Sequence, residues 1–292
     1  MWNFYIEILI MNIYIVIPAH NEEETIRLTI DSLANQSVLP KKVVVVNDNS
    51  TDGTQRILED LSTKYLWLSI VNSKSSEAHL PGTKIINAFY KGFDTLDEDY
   101  DIICKFDADL IFPPNYLETL VDHFKANEAL GMAAGFCYIK KDNNWTIEGL
   151  TEKDHIRGAL KAYRKACFLD IGKLKRAMGW DTIDELLALY FDWQLKTDES
   201  LHVKHLKPTG ANYGKAAKYL QGEALYKLRF GILLAFLSAL KLAYKKKSFK
   251  LFKDYCFGYL KASKANTEFL ITKEQGKFIR QRRWKKIFKK VF

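Results

Sequence analysis

Val43-Val44-Val45-Val46-Asn47-Asp48-Asn49-Ser50-Thr51-Asp52-Gly53 sets four consecutive β-branched residues directly before a polar turn rich in capping side chains. A run of that kind reads as a strand buried on both faces, as strands of a parallel sheet are. Ile57, Leu58 and Leu61 then recur at helical spacing, so the stretch predicts strand, loop, helix. The same unit stands upstream. Residues 12–18 form a β-rich run ended by Pro18, Asn21 precedes Glu24 by three positions as in a capping box, and Ile26, Ile30 and Leu33 predict a helix over about 22–35. Downstream, residues 67–71 predict a third strand, 84–93 a helix, and 101–106 a fourth strand running into Asp107-Ala108-Asp109. This alternation predicts an α/β fold with a mainly parallel, Rossmann-like central sheet and helices on both faces. Ligands of such sheets bind beyond the carboxyl ends of the strands, where the three polar loops fall.

A helix over 114–127 and a strand over 132–138 follow, after which the pattern is less regular, as suits an acceptor-binding half. The expected organisation is a catalytic domain over 1–220, with a nucleotide-binding half at 12–127 and an acceptor-binding half at 128–220. A helical, basic region at 221–292 follows it. Met11 makes a natural start, so residues 1–10 read as an upstream extension of the reading frame. They lack the basic flank and small-residue cleavage site of a secretory signal.

Of 292 residues 48% are hydrophobic and 27% charged, which disfavours both a disordered chain and one embedded in a membrane. The net charge of +9 is uneven: residues 241–292 hold 17 Lys or Arg against 3 acids, +14, leaving −5 for the rest. Cys104, Cys137, Cys167 and Cys256 form no C-x-x-C pair, so they read as buried cytosolic thiols and not as a zinc ribbon or disulfide framework. Beyond the apolar run in the first eleven residues, the other strongly apolar stretch, residues 230–240, is eleven residues without charge, against roughly 20 for a spanning helix. The expected location is cytoplasmic, peripheral on the inner face of the cell membrane.

Asp107 and Asp109 offer two hard oxygen ligands at the end of an apolar strand, a donor set for Mn²⁺ or Mg²⁺. Alone such a pair is common in turns. Its weight comes from order: Pro18-Ala19-His20-Asn21-Glu22 follows the first strand, the Asn47 to Thr54 turn the second, and Asp107-Ala108-Asp109 the fourth. On these motifs residues 12 to about 207 resemble the glycosyltransferase family 2 enzymes, which have the GT-A fold. The resemblance implies an inverting transfer of a hexose-type sugar from a nucleoside diphosphate sugar to a lipid-linked or envelope glycan. It implies that Pro18, Asn21 and Glu22 border the nucleotide pocket, that Asp48 contacts the base, and that Asp107 and Asp109 hold the ribose and the metal-bound diphosphate. Asn47 stands where the family usually has a first aspartate. Lys84, at a loop-to-helix passage, either meets the diphosphate or is solvated, while Asp52 reads as a cap.

An inverting displacement needs a carboxylate to take the acceptor proton. The family uses the aspartate of a Glu-Asp pair after a glycine-containing segment. Here Phe168-Leu169-Asp170-Ile171-Gly172 resembles that segment, and Asp184 falls at the base position with Ile183 in place of the glutamate. Asp181 and Glu185 stay open as alternatives, as does the reading that all three are acids of a helix's first turn. His205 resembles a late histidine that some GT-A enzymes use as a further metal ligand, or is a strand histidine hydrogen-bonded in the core.

Residues 277–292 hold eight basic side chains and no acid, and Trp284, Ile287, Phe288 and Val291 fall on one helical stripe. That pattern suits a helix lying on an anionic membrane surface; alternatively the stripe packs on the catalytic domain. Nucleic acid is not an expected partner, since no binding motif accompanies the charge. Two other functions compete: a glycosyltransferase-like scaffold or sugar-binding protein without activity, and a sugar nucleotidyltransferase. The second needs a glycine-rich basic loop after the first strand, whereas the loop here is acidic and glycine-free.

Overall fold

The computed structural model describes residues 11–75, 82–149, 153–207 and 219–291, with side chains to residue 289. Residues 1–10, expected to be an extension, lie outside the described residues, as does the side chain of Val291.

The chain runs β1 (Ile13–Ala19), α1 (Ile26–Ala34), β2 (Lys42–Asp48), α2 (Thr54–Lys64), β3 (Leu68–Ser73), α3 (Thr83–Phe93) and β4 (Ile102–Phe106). Next come β5 (Leu110–Ile111), α4 (Tyr116–Ala126), β6 (Leu130–Lys141), β7 (Asn144–Ile147), β8 (Leu160–Arg164), α5 (Lys165–Asp170), α6 (Trp180–Tyr190) and β9 (Gln194–His205). One sheet holds them in the order β3-β2-β1-β4-β8-β6-β9-β5, with β7 hairpinned on β6. β3, β2, β1 and β4 are parallel, as the repeated strand, loop, helix units require; β8 then joins β4 antiparallel. Val43, Val45 and Val46 are fully buried, because α3 covers one face of these strands and α1 and α2 pack beside them. Gly92 lets α3 approach closely: a Cβ there would meet the Val46, Val16 and Val44 methyls at 2.7, 2.8 and 3.1 Å.

The first helix begins later than its sequence pattern predicts. Residues 22–25 form a turn in which Ile26 N–H donates to the Glu22 carbonyl, and the Asn21 side chain caps no helix. It accepts from Thr51 N–H at 2.8 Å, and Asn21 N–H donates to Ser50 Oγ at 3.0 Å. Asn21 is thus spent on joining the loops after β1 and β2, at a positive φ of 55° that asparagine tolerates.

Beyond the sheet, the described residues form the helices α7 (Leu220–Lys227), α8 (Ile232–Lys245), α9 (Phe249–Lys264) and α10 (Lys273–Val291). α7, α8 and α9 pack on one another, and α10 lies against α6 through the Tyr190 and Phe278 rings and the fully buried Ile279. Among the described residues no helix is long and apolar enough to cross a membrane.

Candidate active site

The parallel register sets the ends of β1 and β2 side by side, Ala19 beside Asn47, with β4 on the other flank of β1. The loops that carry Asn21 and Glu22, Asp48, and Asp107 therefore open on one edge of the sheet.

Asp48 is buried, and its carboxylate accepts from Ser75 N–H at 3.0 Å and Ser75 Oγ at 2.7 Å; Lys84 Nζ lies 3.8 Å away. Lys84 thus faces the Asp48 loop and is not freely solvated. Glu22 accepts from Thr25 Oγ1 and from Lys207 Nζ, at 2.5 and 2.8 Å, which ties the first loop to the segment after β9. Pro18 pairs opposite Val46, one residue before the end of the paired stretch of β1 and β2. His20 Nδ1 lies 2.6 Å from the Asp48 carbonyl. Asp52 accepts from Thr54 and Glu23; burial pushes its carboxyl up, but these hydrogen bonds outweigh it and hold the pKa below the usual value. The Asn47 amide donates to Gln55 at 2.6 Å, so the residue replacing a usual aspartate holds the loop to α2.

The Asp107-Ala108-Asp109 turn is pinned from beneath. Thr29 Oγ1 on α1 donates to the Ala108 carbonyl at 2.9 Å and accepts from Leu110 N–H at 3.0 Å. β5 then pairs with β9, Leu110 opposite His205. His205 Nε2 comes to 3.3 Å from Asp109 Oδ2, while its Nδ1 lies 2.9 Å from Glu148, which also pairs with Arg157 at 2.8 Å. Burial lowers the imidazole's pKa, but the hydrogen bonds to Asp109 and Glu148 prevail and raise it to about 9.

One ligand atom each from Asp107, Asp109 and His205 lie within 4.8 Å of one another. Two carboxylates and an imidazole form a set that a hard or borderline divalent cation accepts. Glu148 on the far ring nitrogen is the outer partner that metal-binding histidines ordinarily have. These residues fit a cation. Cys137, Glu148 and His205 meet the same spacing, but a buried thiol is a soft donor that suits Mn²⁺ or Mg²⁺ poorly.

The three acids proposed for proton abstraction separate sharply. Asp184 is 2% exposed. Its Oδ1 accepts from Lys161 Nζ and Glu185 N–H, each at 2.7 Å, and its Oδ2 from Tyr163 OH at 2.5 Å. Burial pushes its carboxyl up to about 7 against the pull of Lys161. Lys161, fully buried, stays charged: burial opposes that, but Asp184, Glu185 and Asp181 outweigh it. Glu185 is buried too, accepting from Ile156 N–H at 2.7 Å, with His155 Nδ1 at 3.0 Å. Asp181, in the first turn of α6, keeps 32% of its side chain exposed, with His155 Nε2 at 3.7 Å. Burial would raise its pKa, but His155 and Lys161 lower it, so it is an ionised carboxylate at neutral pH.

Asp181 also lies toward the metal ligands. The Asp107 N–H donates to the Ala159 carbonyl at 3.1 Å. Lys105, buried, contacts the Asp107 carboxylate and donates to the Gly158 carbonyl at 3.1 Å. Gly158 in turn faces Asp181, where a Cβ would stand 3.3 Å from that of the aspartate. Lys105, Lys161, Tyr163, His155 and Glu148 were not singled out from the sequence. Lys105 has a signal, a cation within an otherwise apolar strand; Glu148 has none.

The fold and this edge of loops define a GT-A type domain. The model of "Glycosyl transferase family 2" matches residues 14–173, and the chain belongs to that family. Among curated proteins it is 38% identical over 98 residues, 32% of this chain and 22% of the relative, to "Probable glycosyltransferase YdaM" of Bacillus subtilis. It is 24% identical over 210 residues, 62% of this chain and 46% of the relative, to the poly-β-1,6-N-acetyl-D-glucosamine synthase of Staphylococcus epidermidis. The matches thus span less than half of these relatives' own length. Among solved structures, residues 1–349 of S. aureus TarS in complex with UDP-GlcNAc superpose with a TM-score of 0.57 at 18% identity, covering 77% of this chain and 66% of that one. The Pyrobaculum calidifontis mannosyltransferase PcManGT in complex with GDP-Man and Mn²⁺ gives 0.53 at 15% identity, covering 86% and 70%. At these identities the structures speak for the fold.

Proposed function

We propose that this chain moves a hexose-type sugar, with inversion, from a nucleoside diphosphate sugar to a hydroxyl of a lipid-linked or envelope glycan. The observation that carries the reading is the convergence of Asp107, Asp109 and His205 on one point, at the same edge of the sheet as the loop that holds Asp48. Curated relatives that make polysaccharide, and fold neighbours that hold UDP-GlcNAc or GDP-Man, support the substrate class.

Asp107, Asp109 and His205 are the residues to hold Mn²⁺ or Mg²⁺, with Glu148 fixing the His205 ring. Bound there, a divalent cation supplies Lewis-acid neutralisation of the charge that grows on the departing diphosphate. Pro18, Asn21 and Glu22 border the nucleotide, Asp48 orients the base, and Lys84 sits near enough to Asp48 to meet the donor from the α3 side. For the base we place Asp181 ahead of Asp184. A general base needs an oxygen within reach of the acceptor hydroxyl, and Asp181 is the acid of the three whose side chain keeps the most exposure, 32% against 1% for Asp184 and 11% for Glu185, with its pKa held below the usual value. Asp184 fits a different task, holding Lys161 and Tyr163 and so the first turns of α6 in place.

The division into a catalytic unit over 1–220 and a helical basic region over 221–292 belongs to the same proposal, as do a peripheral position on the inner membrane face and contact with anionic lipid through the basic C-terminal helix. The deciding experiment is release of nucleoside diphosphate from a panel of nucleotide sugars with Mn²⁺ or Mg²⁺. Release that Asp109→Ala abolishes supports the reading; no release from any donor, with the protein folded, favours the inactive scaffold.

A further inference from the structure

Among the described residues, the last helix is not the one that exposes most apolar surface. Trp284 and Ile287 of α10 are partly buried against the core, and of that stripe Phe288 stands exposed. Helix α8 is different. Leu234, Ala235, Ala239 and Ala243 point inward and are buried, while Ile232, Leu233, Leu237, Leu240 and Tyr244 are exposed, Leu233 by 60% and Tyr244 by 87%. At 100° per residue Leu233, Leu237, Leu240 and Tyr244 fall within one helical face, while Ile232, exposed at the start of the helix, lies in line with the buried Ala239 and Ala243. The next helix, packed on α8 through the Phe236 and Phe252 rings, also leaves Phe249, Phe257 and Leu260 exposed. Large apolar side chains gathered in this way mark a contact surface.

The charge around them selects the partner. Lys241, Lys245, Lys246 and Lys247 border the α8 face, and Lys250, Lys253, Lys261 and Lys264 stand exposed along α9. Asp254, the one acid between residues 231 and 264, is buried. A second copy of this chain would bring the same eight cations against these eight. An anionic bilayer instead neutralises them, while the lysine stems let their ammonium groups reach the headgroups beside inserted Leu and Phe. α8 has 14 residues, far short of a span, so it would lie in the plane of the interface.

We infer that the exposed face of the α8–α9 helical pair is a docking surface for anionic phospholipid membranes, with α10 adding charge but little insertion. The inference rests on the membrane contact proposed above and relocates it; it does not depend on the transfer chemistry, since donor hydrolysis reads that separately. The experiment is vesicle flotation of the full chain with phosphatidylcholine alone and with phosphatidylcholine containing phosphatidylglycerol. The chain should float with the anionic vesicles and stay down with the neutral ones. Leu233→Asn with Leu237→Asn should cut the partition at least about tenfold, Lys245→Gln with Lys246→Gln by roughly fivefold per lysine, and Phe288→Ser by less than the leucine pair. These positions are exposed, so circular dichroism and donor hydrolysis should match the parent. Equal recovery from both vesicles, no flotation, a leucine variant that floats like the parent, or a dimer in light scattering that the leucine substitutions dissolve would each overturn the inference.

Discussion

His205 Nε2 lies 3.3 Å from Asp109 Oδ2, although 95 residues separate the two in sequence, because β9 returns to pair with β5 directly after the Asp107-Ala108-Asp109 turn. This pairing makes a site out of a turn. Asp109→Asn and His205→Ala should each abolish the thermal shift that a nucleoside diphosphate produces with Mn²⁺. Glu148→Gln, which leaves the ligands in place but weakens the hold on Nδ1, should lower Mn²⁺ affinity about 10- to 100-fold by titration. Unchanged Mn²⁺ affinity in Glu148→Gln would mean that His205 is no ligand.

Asp181 and Asp184 should fail in different ways. Asp181→Asn should keep donor binding and the parent's unfolding midpoint while lowering transfer by about 10² to 10⁴-fold. Asp184→Asn leaves the buried Lys161 short of its main counter-charge and should cost about 3–5 kcal/mol of stability in urea unfolding. A stable, inactive Asp184→Asn beside an active Asp181→Asn would return the base to Asp184.

His155 gives the protein a pH dependence whose sign is fixed. Burial lowers its pKa, but the hydrogen bonds to Asp181 and Glu185 prevail and raise it from 6.5 to about 9. The folded state therefore keeps a proton that the unfolded chain loses near 6.5, so this stabilisation is complete below that pH and is lost as pH rises through about 9. Urea midpoints should fall between pH 6.5 and 9 more steeply in the parent than in His155→Gln. Parallel profiles would remove His155 as the cause.

Thr29→Val should loosen the metal turn without touching a ligand. It removes a donor to the Ala108 carbonyl and an acceptor for Leu110 N–H, both buried, and should cost about 1–3 kcal/mol of stability. Mn²⁺ affinity should weaken with it; full Mn²⁺ affinity at reduced stability would show that the turn holds its shape without α1.

How far the sequence reached depended on whether a signal was local. The valine run, the helical spacing after it and the recurrence of that unit predict β1, β2 and β4 with their polar loops, and the loops of Asp48 and Asp107 lie where that order puts them. Helix starts were less legible: Asn21 has the form of a cap, yet it bonds to Ser50 and Thr51, partners some thirty residues away.

What the sequence by itself determined is the alternation of strands and helices, the three acidic loops at one edge of the sheet, and the concentration of positive charge after residue 240. Apolar periodicity and side-chain polarity act over a few residues, so a string of letters contains them. Only the tertiary structure decided which acid keeps solvent exposure and which is buried with Lys161, that Glu148 stands behind His205, and that α8 turns Leu233, Leu237 and Leu240 outward while α10 turns its tryptophan toward the core. Burial and ion pairing depend on which distant surfaces meet, and neighbouring acids such as Asp181 and Asp184 look alike until α6 is set against β8.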